Sequence, residues 1–462
     1  MLRASANSMT YKSKAPQRSS GRSNSTDETA RPTENELRRL ESQVSIVETF
    51  SLGREILFIC VICMAQFMTQ GALGNCLNLL HVIGDTFSIT NRGELSWLIA
   101  GYSLTVGSFI LVFGRFGDVF GYKKMLIIGF AWFSIWSMVA GLAYYSNHIL
   151  FIFARVLQGI GPAILMPNGL AILGATYGPG KRKAMVFCLF GACAPGGCVA
   201  AAAVAGVIVH GDPERWPWAF YSFAIVLAAI AGLAFFVIPD PPKRVSTEDM
   251  PLSEVIAQLD LLGAAVGVLS LVLINIAWNQ APIVGWGTPY VYALLIVGLA
   301  LMPMFFFIEL KMTSHPLIPF HALSAEVAFT LGCVACGWAC FGIWIYYTFQ
   351  FFQLLRGASP LLTAAWLSPV AVSGALAAVT TGLLLQRIPP SLVMLLALTA
   401  FTVGTALVMT APVEQTYWYQ TFFCVLIMPW GMDMSFPAAT LILSNAELRR
   451  FILLLAPSLQ RN

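Results

Sequence analysis

Arg155 and Asp433 stand out because each lies inside a run of apolar residues where a charge is out of place. A charged side chain at the centre of a hydrocarbon layer costs about 3 kcal/mol even on the mildest scale, so such groups usually serve a function. Arg155 is the sole Lys or Arg well inside any such run, and it lies about six residues from one end. Two readings stay open for it: a cavity-facing group that relays protons or meets substrate, or a long side chain reaching back to the nearer surface. Asp433, in "WGMDMSFPA", has no basic residue nearby to neutralise it. It could carry a proton, pair with Arg155 across a cavity, or stay protonated on Ser435 or a backbone carbonyl.

A second concentration of chemistry is the stretch "GRFGDVFGYKKM", residues 114–125. It sets Arg115, Asp118, Lys123 and Lys124 beside Gly114, Gly117 and Gly121 in one short gap between apolar runs. Metal chemistry is not expected. Cys60-x-x-Cys63 and Cys333-x-x-Cys336-x-x-x-Cys340 could each share a helix face, but no His sits among them and apolar packing accounts for them. His81, near the end of the first apolar run, could titrate near neutral pH or serve as a plain interfacial residue.

The elements that must hold these residues follow from composition. The chain of 462 residues is 58% hydrophobic and 10% charged, with a mean hydropathy of +0.75, whereas soluble domains are about 25% charged. Runs of about 20 apolar residues cross a bilayer as helices, and twelve are expected, near 56–80, 95–114, 125–146, 149–176, 184–209, 217–239, 261–279, 288–310, 326–352, 361–385, 391–410 and 419–443. The fold class is therefore an all-α multi-span membrane protein. Nine Lys and Arg precede the first run; with those on the cytoplasmic side, inner loops carry ten more and outer loops three. That bias places the N-terminus in the cytoplasm. The net charge of +4 is then a matter of topology, not a nucleic-acid footprint. Residues 1–52 are polar, expected to be a disordered tail, and lack a signal peptide's apolar core.

The stretch at 114–125 fits G-x-x-x-D-x-x-G-x-[RK]-[RK] and resembles the signature loop of the major facilitator superfamily. The resemblance implies a gate. Asp118 would pair across to a neighbouring helix and hold the outward-open state closed on the cytoplasmic side. Gly114 would allow close helix approach, Gly121 a tight reversal, and Lys123 and Lys124 would anchor the inner face. "RVLQGIGPAILMPNG" resembles the family's R-x-x-Q-G-x-G, which makes Arg155 and Gln158, together with the intramembrane carboxylate Asp433, the expected proton or substrate relay. "GACAPGGCVAAAAVAG" partly resembles the antiporter motif of drug exporters, with Gly191, Pro195, Gly196 and Gly197 as its elements. Ala194 and Cys198-Val199 depart from it, and small-residue packing would give the same composition.

The order of segments resembles the fourteen-span drug:proton antiporters. A six-helix bundle (53–240) is followed by a polar linker (241–260) and two inserted helices (261–310), before a C-terminal bundle (326–445). The junction "YYTFQFFQLLRGASPLLTAAWLSP" is similar to that subfamily and marks Gln350 and Gln353 as cavity candidates. Trp344 joins them, with Trp338, Phe349 and Phe352 suited to line a wide aromatic cavity. The absence of an acid within the first span and "GMDMSFPAATLILSN" near the end resemble the fungal aminotriazole-resistance branch. An internal repeat supports two related halves: Gly161, Pro167, Ile172 and Leu173 recur at identical spacing as Gly431, Pro437, Ile442 and Leu443. Asp433 takes the place of Ala163. After residue 445 the family would continue with two further spans, so the C-terminal bundle is expected to have four helices and an atypical tail at 446–462.

These features imply a secondary transporter driven by a proton gradient and without other cofactors, exporting small organic compounds such as toxins, drugs or secondary metabolites. Carriage of small polar solutes such as borate or ammonium, and a truncated form that does not transport unless a partner supplies the missing helices, are the alternatives. Its surroundings are lipid, at the plasma or vacuolar membrane. Use of ATP is not expected, since "GATYGPGKRK" lacks the glycine spacing and the Ser or Thr of a phosphate loop. Nor is an enzyme, since neither H-E-x-x-H nor G-x-S-x-G occurs.

Overall fold

In hydrocarbon every backbone N–H and C=O must be bonded internally, so long apolar runs can only be helices. The protein, seen in a computed structural model, is described for residues 50–178, 180–239, 252–318 and 324–459, which belong to one compact unit, Ser45–Asn462. Every regular element among them is helical. Twelve helices among the described residues are long and apolar enough to cross a membrane. The first six are α1 (Leu52–Asn78), α2 (Gly93–Phe120), α3 (Tyr122–Tyr145), α4 (His148–Thr176), α5 (Lys181–Ile208) and α6 (Pro213–Val237). An added pair follows, α7 (Glu254–Val284) and α8 (Pro289–Lys311). Last come α9 (Ala325–Leu355), α10 (Pro360–Leu384), α11 (Pro390–Met409) and α12 (Gln420–Leu443).

The expected spans are recovered, with instructive differences at their ends. The charged stretch at 114–125 is not an open loop. The α2 helix runs on to Phe120, its ladder of Phe113, Phe116 and Phe120 rings in contact every turn or so. A single residue, Gly121 at φ +98°, turns the chain into α3; any side chain there would be strained. The expected linker at 241–260 lies outside the described residues up to 251, but Leu252–Leu259 form a helix that bends at Asp260 into the rest of α7. The last helix continues from Gln420 to Leu459, into the stretch expected as an atypical tail at 446–462. The tail expected at 1–52 lies outside the described residues as far as 49.

Close packing sets the layout. Gly74 of α1 sits against the Cys198 carbonyl of α5, and Gly197 of α5 against the Phe67 carbonyl of α1, where any Cβ would collide with backbone. The internal repeat has a physical counterpart: Gly161 of α4 packs on Phe133 of α3, and Gly431 of α12 packs on Phe401 of α11. The added pair leans on α2, with Gly93 against Ile283.

At the end of the molecule bearing residues 114–125, Glu55 ties three helices. Its buried carboxylate pairs with Arg182 and accepts from the Tyr177 hydroxyl at 3.0 Å. Burial and the adjoining carboxylate push the Tyr177 phenol above its ordinary range, so it remains a donor. The two partners are unequally exposed, 8% for Glu55 and 59% for Arg182. Removing the arginine strands a buried charge, whereas removing the acid frees a cation that already meets water. Arg182→Ala is therefore expected to cost about 1–3 kcal/mol and to lower the thermal midpoint in detergent more than Glu55→Gln does.

Candidate functional site: a buried carboxyl between the two halves

Three motifs that are far apart in the chain meet where α5, α10 and α12 cross. Pro195 points its ring at Gly374 of α10; a Cβ on Gly374 would strike that ring and lie 2.9 Å from Asp433 Oδ2. The antiporter-like motif, a bare helix surface and the intramembrane acid thus share one contact. Asp433 is 6% exposed, and its Oδ2 has no hydrogen-bond partner. Ser435 is committed to the Met432 carbonyl at 3.0 Å, so it does not hold the acid. Ser373, beside Gly374, donates to the Leu426 carbonyl and accepts from Trp430 Nε1 at 3.1 Å. The titratable neighbours of the acid are the thiols of Cys188 and Cys193 on α5.

Arg155 lies elsewhere, fully buried inside the first six helices. Its Nε donates to the Leu98 carbonyl at 3.1 Å and Nη2 to the Ala72 carbonyl at 3.4 Å, while Nη1 bonds Gln158 Oε1. Gln158 Nε2 in turn donates to Ser137 Oγ at 2.6 Å. The guanidinium stands 4.5 Å from the centre of the Tyr102 ring, a favourable cation–π position. Carbonyl dipoles and an aromatic face, not a carboxylate, balance this charge. Arg155 neither reaches the surface nor pairs with Asp433.

At the end away from residues 114–125 the two halves are sealed together. His81 Nε2 and Gln350 Oε1 are 2.6 Å apart. Gln353 donates to Asn78 Oδ1 at 3.0 Å and to the Asn78 carbonyl at 2.9 Å. Asn78 Nδ2 donates to Ala202 and Pro360 carbonyls at 2.7 and 3.1 Å. Gly206 of α5 lets Leu361 of α10 approach to backbone contact. One apolar core runs through both halves here, whereas at the opposite end each half has its own. The wide aromatic cavity expected around Trp344 is therefore not open. Trp344, Phe349 and Phe352 are fully buried in the shared core, and Trp344 Nε1 meets Cys424 Sγ at 2.8 Å. Asn78→Ala removes the centre of this seal. It is expected to raise the rate at which a membrane-impermeant maleimide, added from that side, labels Cys76 and Cys198; an unchanged rate would mean that apolar packing alone holds the seal.

In the stretch expected to form a gate, Arg115 binds the His315 and Pro316 carbonyls beyond α8. Asp118 is 49% exposed and keeps local partners, the Tyr122 hydroxyl at 2.6 Å and Arg115 at 3.9 Å. Among the described residues no Lys or Arg of another helix pairs with Asp118, in keeping with a state closed at the far end. Gly114 faces Pro167 of α4 at ordinary contact distance, Lys123 lies over the Phe235 ring, and Lys124 is exposed. Of the antiporter-like glycines, Gly197 is in tight contact, Gly196 only touches Phe67, and Gly191 faces open space. Two amides escaped the sequence reading. Asn168 fills the notch at Gly117 and bonds the Phe113 carbonyl at 3.2 Å, clamping α4 to α2; Asn78 centres the seal. The available signal was an amide inside an apolar run.

Comparison with known proteins places this geometry. The Major Facilitator Superfamily profile matches residues 57–449. The chain is 53% identical over 396 residues to a low affinity ammonium transporter of Saccharomyces cerevisiae, spanning 86% of this chain and 76% of that one. It is 45% identical over 400 residues to efflux pump terJ of Aspergillus terreus, again 86% and 76%. An aminotriazole resistance protein of S. cerevisiae is 33% identical over 400 residues, 85% and 71%. The proton:xylose symporter XylE superposes with a TM-score of 0.54 at 13% identity, over 86% of this chain and 83% of its own.

Proposed function

The chain belongs to the major facilitator superfamily and is a transporter of that family, and we propose that it is a proton-coupled exporter of small organic compounds in which Asp433 carries the proton. The observation that bears the proposal is the unpartnered carboxyl oxygen of Asp433, buried where α5, α10 and α12 cross. A carboxylate so placed is costly without a compensating partner. It is satisfied by a proton in one state and by a cationic or hydrogen-bonding ligand in the other. Because Asp433 and Pro195 both border Gly374, the acid's occupancy bears on the α5–α10 contact between the halves. The similarity to an efflux pump supports export, and the seal at one end with separate cores at the other supports alternating access. In this reading residues 114–125 face the cytoplasm and the His81–Gln350 end faces outward.

The similarity to an ammonium transporter favours a second reading, in which the same carboxylate receives a small cation. The test is reconstitution into vesicles with an imposed pH gradient. The exporter reading expects a fluorescent lipophilic organic cation to move against its gradient only while the pH gradient lasts. The second expects labelled methylammonium to move and the dye not to. Movement of neither would remove both readings.

A further inference from the structure

The added helices α7 and α8 hold a pair of buried acids that the proposed mechanism does not use. Asp260 and Glu309 are 7% and 3% exposed, at the end of the molecule bearing residues 114–125. Each carboxyl spends one oxygen on backbone: Asp260 Oδ1 accepts from Gly263 N–H at 3.2 Å, and Glu309 Oε2 from Ile318 N–H at 3.3 Å. Each keeps its other oxygen, Asp260 Oδ2 and Glu309 Oε1, buried without a partner. Those two oxygens border the same notch, the space a Cβ on Gly263 would fill, and the two side chains interact there. No Lys or Arg pairs with either acid among the described residues.

We propose that Asp260 and Glu309 form a one-proton site, an acid–carboxylate pair whose single shared proton is the donor that both free oxygens lack. Two carboxylates this close cannot both be ionised without a cation between them. The division of charge follows from the helices: Asp260 caps the start of Leu261–Val284, where the helix dipole favours the anion, so the proton rests on Glu309 and is donated to Asp260. The charged groups on the surrounding elements are otherwise engaged or distant in role. Arg115 binds the His315 and Pro316 carbonyls and Asp118; Glu254 lies in the first turn of the helix that precedes Asp260, and Lys311 and His315 follow Glu309 in the chain.

The pair is wired to the gating stretch. Arg115 of that stretch grips the carbonyls of His315 and Pro316, and Glu309 grips Ile318 a few residues on. Val255 and Leu259, just before Asp260, pack on Val119 and Phe116 of α2. Loss of the shared proton would repel the two carboxylates and loosen the segment that Arg115 holds.

The test is independent of transport and of the Asp433 reading. Infrared difference spectra of the Asp433→Asn protein in lipid nanodiscs, between H2O and D2O near neutral pH, are expected to contain a protonated-carboxyl stretching band. That band should vanish in both Glu309→Gln and Asp260→Asn added to the same background, because either change removes the pair. Gly263→Ala, which fills the notch, should shift or abolish it. A band that survives both carboxyl substitutions overturns the assignment. So does a spectrum with no such band that gains one only after a chelator or sodium removal, which would mean a cation site instead.

Discussion

Asp433→Asn is expected to abolish movement of substrate against its gradient, lowering the driven rate by on the order of 100-fold, the usual scale of a lost proton-transfer group. Asparagine keeps the volume and the polarity beside Pro195 and Gly374 but cannot take up or release a proton. Exchange of labelled for unlabelled substrate, with no pH gradient imposed, should persist, because it needs only the conformational cycle. Reconstituted vesicles give both readouts on one preparation. Asp433→Glu should recover part of the driven rate, limited by the tight crossing around Gly374. Driven transport by Asp433→Asn at the wild-type rate would sink the proposed role.

Arg155 is the site of the second large effect. Neutralising it should abolish coupled export, and even Arg155→Lys should fail, since an ammonium cannot reproduce the planar fork that meets Leu98, Ala72 and Gln158 together. Each buried acceptor left unmet costs about 1–3 kcal/mol, so thermal midpoints will also fall. Exchange without a gradient separates the two causes. A collapsed fold loses exchange and driven transport together, whereas a lost coupling group spares exchange in the lysine variant. Unchanged export in Arg155→Gln would remove this residue from the mechanism and leave it a packing element.

Much of the fold was legible because hydrophobic span length is a local property. Twelve apolar runs announce twelve helices, and Gly121 in its motif announces a reversal that the structure makes with φ +98°. The repeat of Gly161 and Gly431 was visible as spacing and reappears as matched contacts on Phe133 and Phe401. The aromatic run of α9 misled in the opposite direction. Trp344 and Phe352 have the types that line a binding cavity, yet type does not say whether the far end is open, and here the seal at Asn78 buries them.

Sequence alone determined the solvent, the number of crossings and the residue types available for chemistry, because apolar length and an out-of-place charge are decided within one helix. Only the tertiary structure decided the partners. Pro195, Gly374 and Asp433 become one contact through helix crossing, Arg155 is balanced by carbonyls of two other helices, and Asp260 and Glu309 face each other across a glycine notch. Those are pairings between distant segments, set by which small residues let which helices approach, and nothing in one segment's own pattern encodes them.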